Sequence, residues 1–150
     1  MNQLIIILLL VNTVFISKAQ TTEDSIKVTI SKLFDGMRNG DAALLRSAFA
    51  DSAILQSIAR NKEGKTIIAN EALNDFADFV SKQTKGAADE QITYDVIKID
   101  GPLAIVWTPY KFYLNGKFSH CGVNSFQLVR INKEWKIQYL IDTRRRAGCE

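Results

Sequence analysis

Tyr110-Lys111-Phe112-Tyr113-Leu114-Asn115-Gly116-Lys117-Phe118-Ser119-His120-Cys121-Gly122 is the stretch on which the architecture turns. Asn115 and Gly116 both accept positive φ at low cost, which a two-residue hairpin turn requires, and β-branched and aromatic residues flank them on both sides. The strands so joined are expected over 102–114 and 117–130. Upstream, Asp100-Gly101 reads as a second turn, preceded by a strand over 91–99. Downstream, Ile131 to Glu134 leads into a last strand over 135–145. Four strands in this order make an antiparallel meander.

The chain before the meander changes period. Ile26, Ile30, Leu33, Phe34 and Met37 fall on one stripe of a helix that Asp24 can cap and Asn39-Gly40 ends. Asp41 can cap a second helix, with Leu44, Leu45, Ala48 and Phe49 on one face. After a short strand at Ala53-Ile54-Leu55 and a turn at Gly64, Asn70 is expected to cap a third helix that carries Leu73, Phe76, Ala77 and Val80 inward. Nothing here reads as a linker, repeat or low-complexity run, so one domain is expected.

Composition narrows the function classes. The chain has 150 residues, 47% hydrophobic and 23% charged, with 19 basic and 16 acidic side chains for a net charge of +3. That charge is too small and dispersed for a nucleic-acid or membrane-surface binder. Leu4 to Val11 are uninterrupted aliphatics, Val14, Phe15 and Ile16 extend the run, and Ser17-Lys18-Ala19 offers small residues at the positions a signal peptidase reads. The apolar run, about 13 residues, falls short of the ~20 needed to span a bilayer. Residues 1–19 are therefore expected to be a signal peptide and 20–150 an exported domain, periplasmic or extracellular, with no membrane attachment after cleavage. One histidine and two cysteines are too few for an ordinary zinc site, and there is no phosphate loop or nucleophile elbow, so neither metal nor cofactor is expected.

Three helices followed by a long meander give an α+β class in which helices cover one face of a curved antiparallel sheet. This order, with the step Phe49-Ala50-Asp51-Ser52-Ala53 into the first strand, resembles the cone-shaped nuclear transport factor 2-like, or SnoaL-like, superfamily. Within it, Val106-Trp107-Thr108-Pro109-Tyr110, Phe112-Tyr113, Asn115-Gly116-Lys117, His120-Cys121-Gly122 and Asp142-Thr143-Arg144-Arg145-Arg146 resemble the group described as putative lumazine-binding. The resemblance implies a pocket inside the cone and, as is common in the superfamily, a homodimer formed through the convex sheet. It also implies that an enzyme of this fold would set an Asp, Glu, His or Tyr in the cone as acid or base.

Tight turns at Asn115-Gly116 and Asp100-Gly101 would set Trp107 opposite Asn124 and Tyr94 opposite Trp107. Pairing Val129 with Lys136 would set Asn124 opposite Ile141 and Phe126 opposite Tyr139. The expected concave face then holds Tyr94, Trp107, His120, Asn124, Phe126, Tyr139 and Thr143, with no carboxylate. Thr108, Tyr110, Ser119, Ser125, Gln127, Lys136, Gln138 and Asp142 fall on the convex side. A single bulge would exchange the faces beyond it.

An aromatic pocket with one imidazole and one amide suits a small, flat, partly polar organic ligand held by Tyr94, Trp107, His120, Asn124 and Tyr139. Arg145, at the mouth, would offer a fork to an anion. The alternatives are an isomerase, dehydratase or hydrolase using His120 as general base, with Asp35 or Asp51 reaching in from the helices, and a dimeric protein-interaction module. Cys121 and Cys149 can form a disulfide worth about 3–4 kcal/mol; two free thiols or a link between chains are the alternatives.

Overall fold

The computed structural model describes residues 21–149, and the expected signal peptide lies outside them. Helix α1 (Thr22–Asn39) opens with Thr21 as N-cap: its hydroxyl accepts from the Asp24 amide while the Asp24 carboxylate accepts from the Thr21 amide. Asp24 thus stands inside the first turn rather than at the cap. The helix ends at Gly40, which takes φ 67°. Ile26, Ile30, Leu33, Phe34 and Met37 are buried, as their spacing requires. Helix α2 (Ala42–Ser47) is capped by Asp41, whose carboxylate accepts from the Leu44 amide at 2.9 Å.

Strand β1 (Phe49–Arg60) pairs antiparallel with β2 (Thr66–Glu71), so Asn70 lies in a strand and caps nothing. Helix α3 (Leu73–Ser81) follows, with Ala77 and Val80 buried. The expected strand over 91–99 is two strands, β3 (Ala88–Ile92) and β4 (Val96–Asp100), both antiparallel to β5 (Leu103–Leu114). The long hairpin of β5 and β6 (Lys117–Ile131) turns on Asn115 and Gly116 at φ 51° and 73°. Strand β7 (Glu134–Thr143) closes the chain's run of strands.

The seven-stranded sheet is ordered β2-β1-β7-β6-β5-β3, with β4 also on β5. It is mixed rather than antiparallel throughout, because β1 lies parallel to β7. The helices cover its inner face, and the class remains α+β.

Two bulges decide which residues face the helices. Next to the turn, Leu114 faces Lys117 and Tyr113 faces Phe118, as a two-residue loop dictates; Phe112 then faces His120, and Ser119 is skipped. Between β6 and β7, Val129 faces Lys136 and Leu128 faces Ile137, but Gln127 faces Tyr139, and Gln138 is skipped. Each extra residue flips the alternation beyond it. Trp107 therefore pairs with Ser125, and with Val96 rather than Tyr94. Asn124 pairs with Thr108 and with Asp142, and Phe126 with Leu140.

The inner face becomes a graded series of rows. Ala104, Leu128 and Ile137 form a fully buried row, and Val106, Phe126 and Leu140 the next, with the Phe34 ring edge-on to Phe126 at 6.3 Å. Thr108, Asn124 and Asp142 begin the polar end, followed by Tyr110 beside Gly122 and Phe112 beside His120.

Candidate functional site

At the polar end the helices and the sheet stand apart and enclose a cavity of about 260 Å³, lined by Met37 of α1, Glu71 at the end of β2, Phe76 and Phe79 of α3, Glu90, Phe112, His120, Asp142 and Arg144. A smaller recess of about 50 Å³ continues inward past Asn124, Ser57 and Gln56 to Leu33, Phe34, Leu55 and Leu140. Aromatic rings and Met37 supply much of the walls; three carboxylates, one guanidinium, two amides, the Ser57 hydroxyl and the His120 imidazole supply the polar groups.

Two hydrogen-bonded units build the floor. In the first, Asn124 Nδ2 donates to Glu90 Oε1 at 2.7 Å. Glu90 keeps some solvent exposure as a residue, yet the surrounding walls strip water from its carboxyl and push its pKa up to about 7, with the Asn124 bond opposing the shift. In the second, Asp142 accepts from the Tyr110 hydroxyl at 2.8 Å, from Arg144 Nε at 2.9 Å and from the Ser57 hydroxyl. The Tyr110 hydroxyl also reaches the Thr143 carbonyl at 2.9 Å, and burial with Asp142 beside it holds the phenol well above its ordinary range. Desolvation likewise raises Glu71, against the pull of Arg144.

Gly122 makes this second unit sterically possible. A Cβ there would stand 1.7 Å from the Thr143 carbonyl oxygen and 2.8 Å from the Tyr110 ring. Only a residue without a side chain lets Tyr110 cross β6 and reach Asp142.

The structure brings together some of the sequence-expected residues and disperses others. Asn124 and His120 line the cavity. The His120 ring lies 5.0 Å from Phe112, and its Nδ1 is 3.0 Å from the Ser119 hydroxyl. Burial first, then Arg144, holds its pKa below the usual imidazole value. Phe126 faces inward but belongs to the closed core. Trp107, 44% exposed, lies on the outer face, because the bulge at Ser119 exchanges its parity with that of Asn124. Tyr139 pairs with outward Gln127 and donates to Gln56 Oε1 at 2.6 Å.

Tyr94 packs against the flank of α1, its hydroxyl donating to the Lys27 carbonyl at 3.3 Å with the Lys27 ammonium over its ring. Arg145 turns aside to donate to the Gly148 carbonyl, and Arg144 enters the cavity in its place. Asp35 pairs with Arg38 on α1, Asp51 is exposed, and neither lines the cavity. The cavity does hold carboxylates, contrary to the expectation: Asp142 arrives through the bulge at Gln138, and Glu90 on β3. Tyr139-Leu140-Ile141 is apolar at both parities, so hydrophobic alternation does not mark that bulge.

Cys121 and Cys149 are joined by a disulfide with Cα atoms 5.8 Å apart, and Arg145 bridges to Cys121 through two backbone hydrogen bonds of 2.9 Å. Together they tie the segment after β7 to β6. Among the described residues no group of three or more His, Cys, Asp or Glu side chains could hold a metal ion, and no helix is long and apolar enough to cross a membrane.

Solved structures with the same fold are similar over most of the chain. One is an NTF2-like protein of unknown function from Shewanella baltica, 14% identical, with a TM-score of 0.66 over 87% of this chain and 99% of its own. Another, from Methylobacillus flagellatus, is 17% identical with a TM-score of 0.63 over 83% and 92%. A domain with a cystatin-like fold from Nostoc punctiforme is 17% identical with a TM-score of 0.64 over 85% and 81%. At these identities the likeness is one of fold. No curated protein matches. The family model described as "Putative lumazine-binding" matches residues 21–138, which takes in α1 through the first half of β7. With that match, on a nuclear transport factor 2-like fold, the chain belongs to the putative lumazine-binding family.

Proposed function

We propose that the protein binds a small, flat, partly polar organic molecule in the open end of the cone. The observation that carries this reading is the juxtaposition of an aromatic wall, Phe76, Phe79 and Phe112, with a floor of Glu90, Asn124, Asp142 and Arg144 around one cavity. Carboxylates accept hydrogen bonds, a guanidinium donates them, and an amide does both. That set matches a heterocycle edge on which N–H and C=O groups alternate, as they do in lumazine, the ligand in the family's description. Native mass spectrometry of the protein from its own cells, intact and then denatured, tests the reading together with calorimetric titration of lumazine. A stoichiometric passenger or saturable one-to-one lumazine binding is expected. An empty protein that gives no heat with 1 mM lumazine (on the order of the weakest useful affinity) would overturn it.

A second reading is favoured by Glu90 alone. A carboxyl pushed up to about 7 exchanges its proton near neutral pH, so an isomerase, dehydratase or hydrolase would use Glu90 rather than His120 as acid or base. It predicts exchange of a ligand C–H with solvent deuterium that Glu90→Gln abolishes; a bound ligand that does not exchange contradicts it.

Two further expectations belong to the same reading. The outer sheet face carries exposed Ile54, Val96, Leu103, Ile105 and Trp107, an apolar surface suited to a second copy of this chain. Light scattering should give a dimer that Trp107→Glu dissociates. Export rests on the aliphatic run and Ala19, and an intact mass beginning at Gln20 tests it.

A further inference from the structure

Beyond β7 Arg145 still pairs with Cys121 of β6, and the three arginines there line one cleft. His120 and Arg144, which wall the cone cavity, also wall a second space of about 270 Å³ completed by Arg145 and Arg146. In a continuing strand, consecutive side chains would alternate between faces. Here the Cys121–Cys149 disulfide and the Arg145 bridge to Cys121 hold the segment against β6, and Arg144, Arg145 and Arg146 line one space together with His120.

These charges are poorly compensated. Arg144 pairs with Asp142 at 2.9 Å, but among the described residues neither Arg145 nor Arg146 has a carboxylate partner. Arg145 directs Nε to the Gly148 carbonyl at 3.1 Å, and Lys117 lies beside Arg146 on the adjoining surface. Like charges held together raise one another's energy, and a bound oxyanion that accepts from several guanidinium groups relieves it. Arg144 and Arg146 already act on His120, both disfavouring its cationic form, while Asp142 opposes them.

We infer that this cleft is an oxyanion subsite continuous with the cone cavity, so that the ligand is a flat ring system bearing a carboxylate or phosphate group. The ring lies among Phe76, Phe79 and Phe112, and the anion reaches past His120 to Arg145 and Arg146. This rests on the reading of the cavity as a ligand site and adds the chemical class of the ligand.

His120 is the only histidine, so its imidazole resonance is an unambiguous reporter at the boundary of the two spaces, and the Asn124 side-chain amide reports the cavity. Phenol, benzoate, phenyl phosphate and inorganic phosphate are titrated separately at matched ionic strength. Phenyl phosphate or benzoate should bind about tenfold more tightly than phenol, with whichever is stronger naming the anion. The anionic probe should shift both reporters and raise the His120 titration midpoint. The double variant Arg145→Gln, Arg146→Gln should remove most of that preference and leave phenol affinity unchanged. Equal binding of phenol and both anions, with His120 indifferent to phosphate, would overturn the subsite while leaving the cavity reading intact. Phosphate shifting His120 while no aromatic probe shifts Asn124 would instead overturn the cavity reading, and the composite ligand with it.

Discussion

The inner and outer faces of the long sheet are made from adjacent residues of the same strands, yet they have different work. Inward, the rows grade from Leu128 and Ile137 through Phe126 to Asn124, Asp142 and the Glu90 carboxyl, so one face is core at one end and cavity at the other. Outward, Ile105 and Trp107 leave 43% and 44% of their surface to solvent and contact no cavity group. The difference teaches that burial, not residue type, assigns the role here: the larger aromatic is on the outside and the carboxylates are within.

The largest effect that sharpens this contrast comes from the closed end. Phe126→Ala should cost about 3–5 kcal/mol by chemical denaturation, since the ring is fully buried, whereas Trp107→Ala should cost under about 1 kcal/mol in the monomer. Similar losses at both positions would erase the distinction between the faces.

Next is Glu90→Gln. The folded state holds a proton that the unfolded carboxyl releases near its ordinary pKa, so stability is full at low pH and is lost as pH rises toward about 7. The variant should gain up to about 3 kcal/mol over the parent at pH 8 and nothing at pH 4. A pH-independent difference would show that the carboxyl is not desolvated.

Tyr110→Phe should be smaller, about 1–2 kcal/mol, because it removes one hydroxyl from buried Asp142 while Ser57 and Arg144 remain. Smallest is Arg146→Gln, an exposed change expected within about 0.5 kcal/mol of the parent's stability.

Much of the fold was legible because local physics wrote it. The i, i+4 stripe of α1, the Gly40 and Asp41 caps and the Asn115-Gly116 turn each depend on neighbours in sequence, and the structure has all of them. The site was less legible because it depends on parity across strands. Turn geometry set the pairing correctly at Leu114 with Lys117 and at Val129 with Lys136, but single extra residues at Ser119 and Gln138 reversed what followed. Tyr139-Leu140-Ile141 is apolar on both parities, so no hydrophobic pattern opposed the wrong register. Asp142 and Arg144 were thereby exchanged with Ile141 and Arg145. Asn124 and His120 were read as inward and are inward, but Asn124 came with the wrong partners, Trp107 and Ile141 in place of Thr108 and Asp142. Glu90 had a different cause: the strand is expected to begin at Gln91, one residue too late to include it, and to run unbroken to 99, because no glycine or proline marks the break between β3 and β4.

The most direct test is a lumazine titration followed at two side-chain N–H groups, the Asn124 amide inside and the Trp107 indole outside. The account predicts a saturable shift at Asn124, accompanied by the Phe76 and Phe112 rings, with Trp107 unmoved. A shift at Trp107 and Tyr139 with Asn124 silent would contradict it and put the ligand on the outer face.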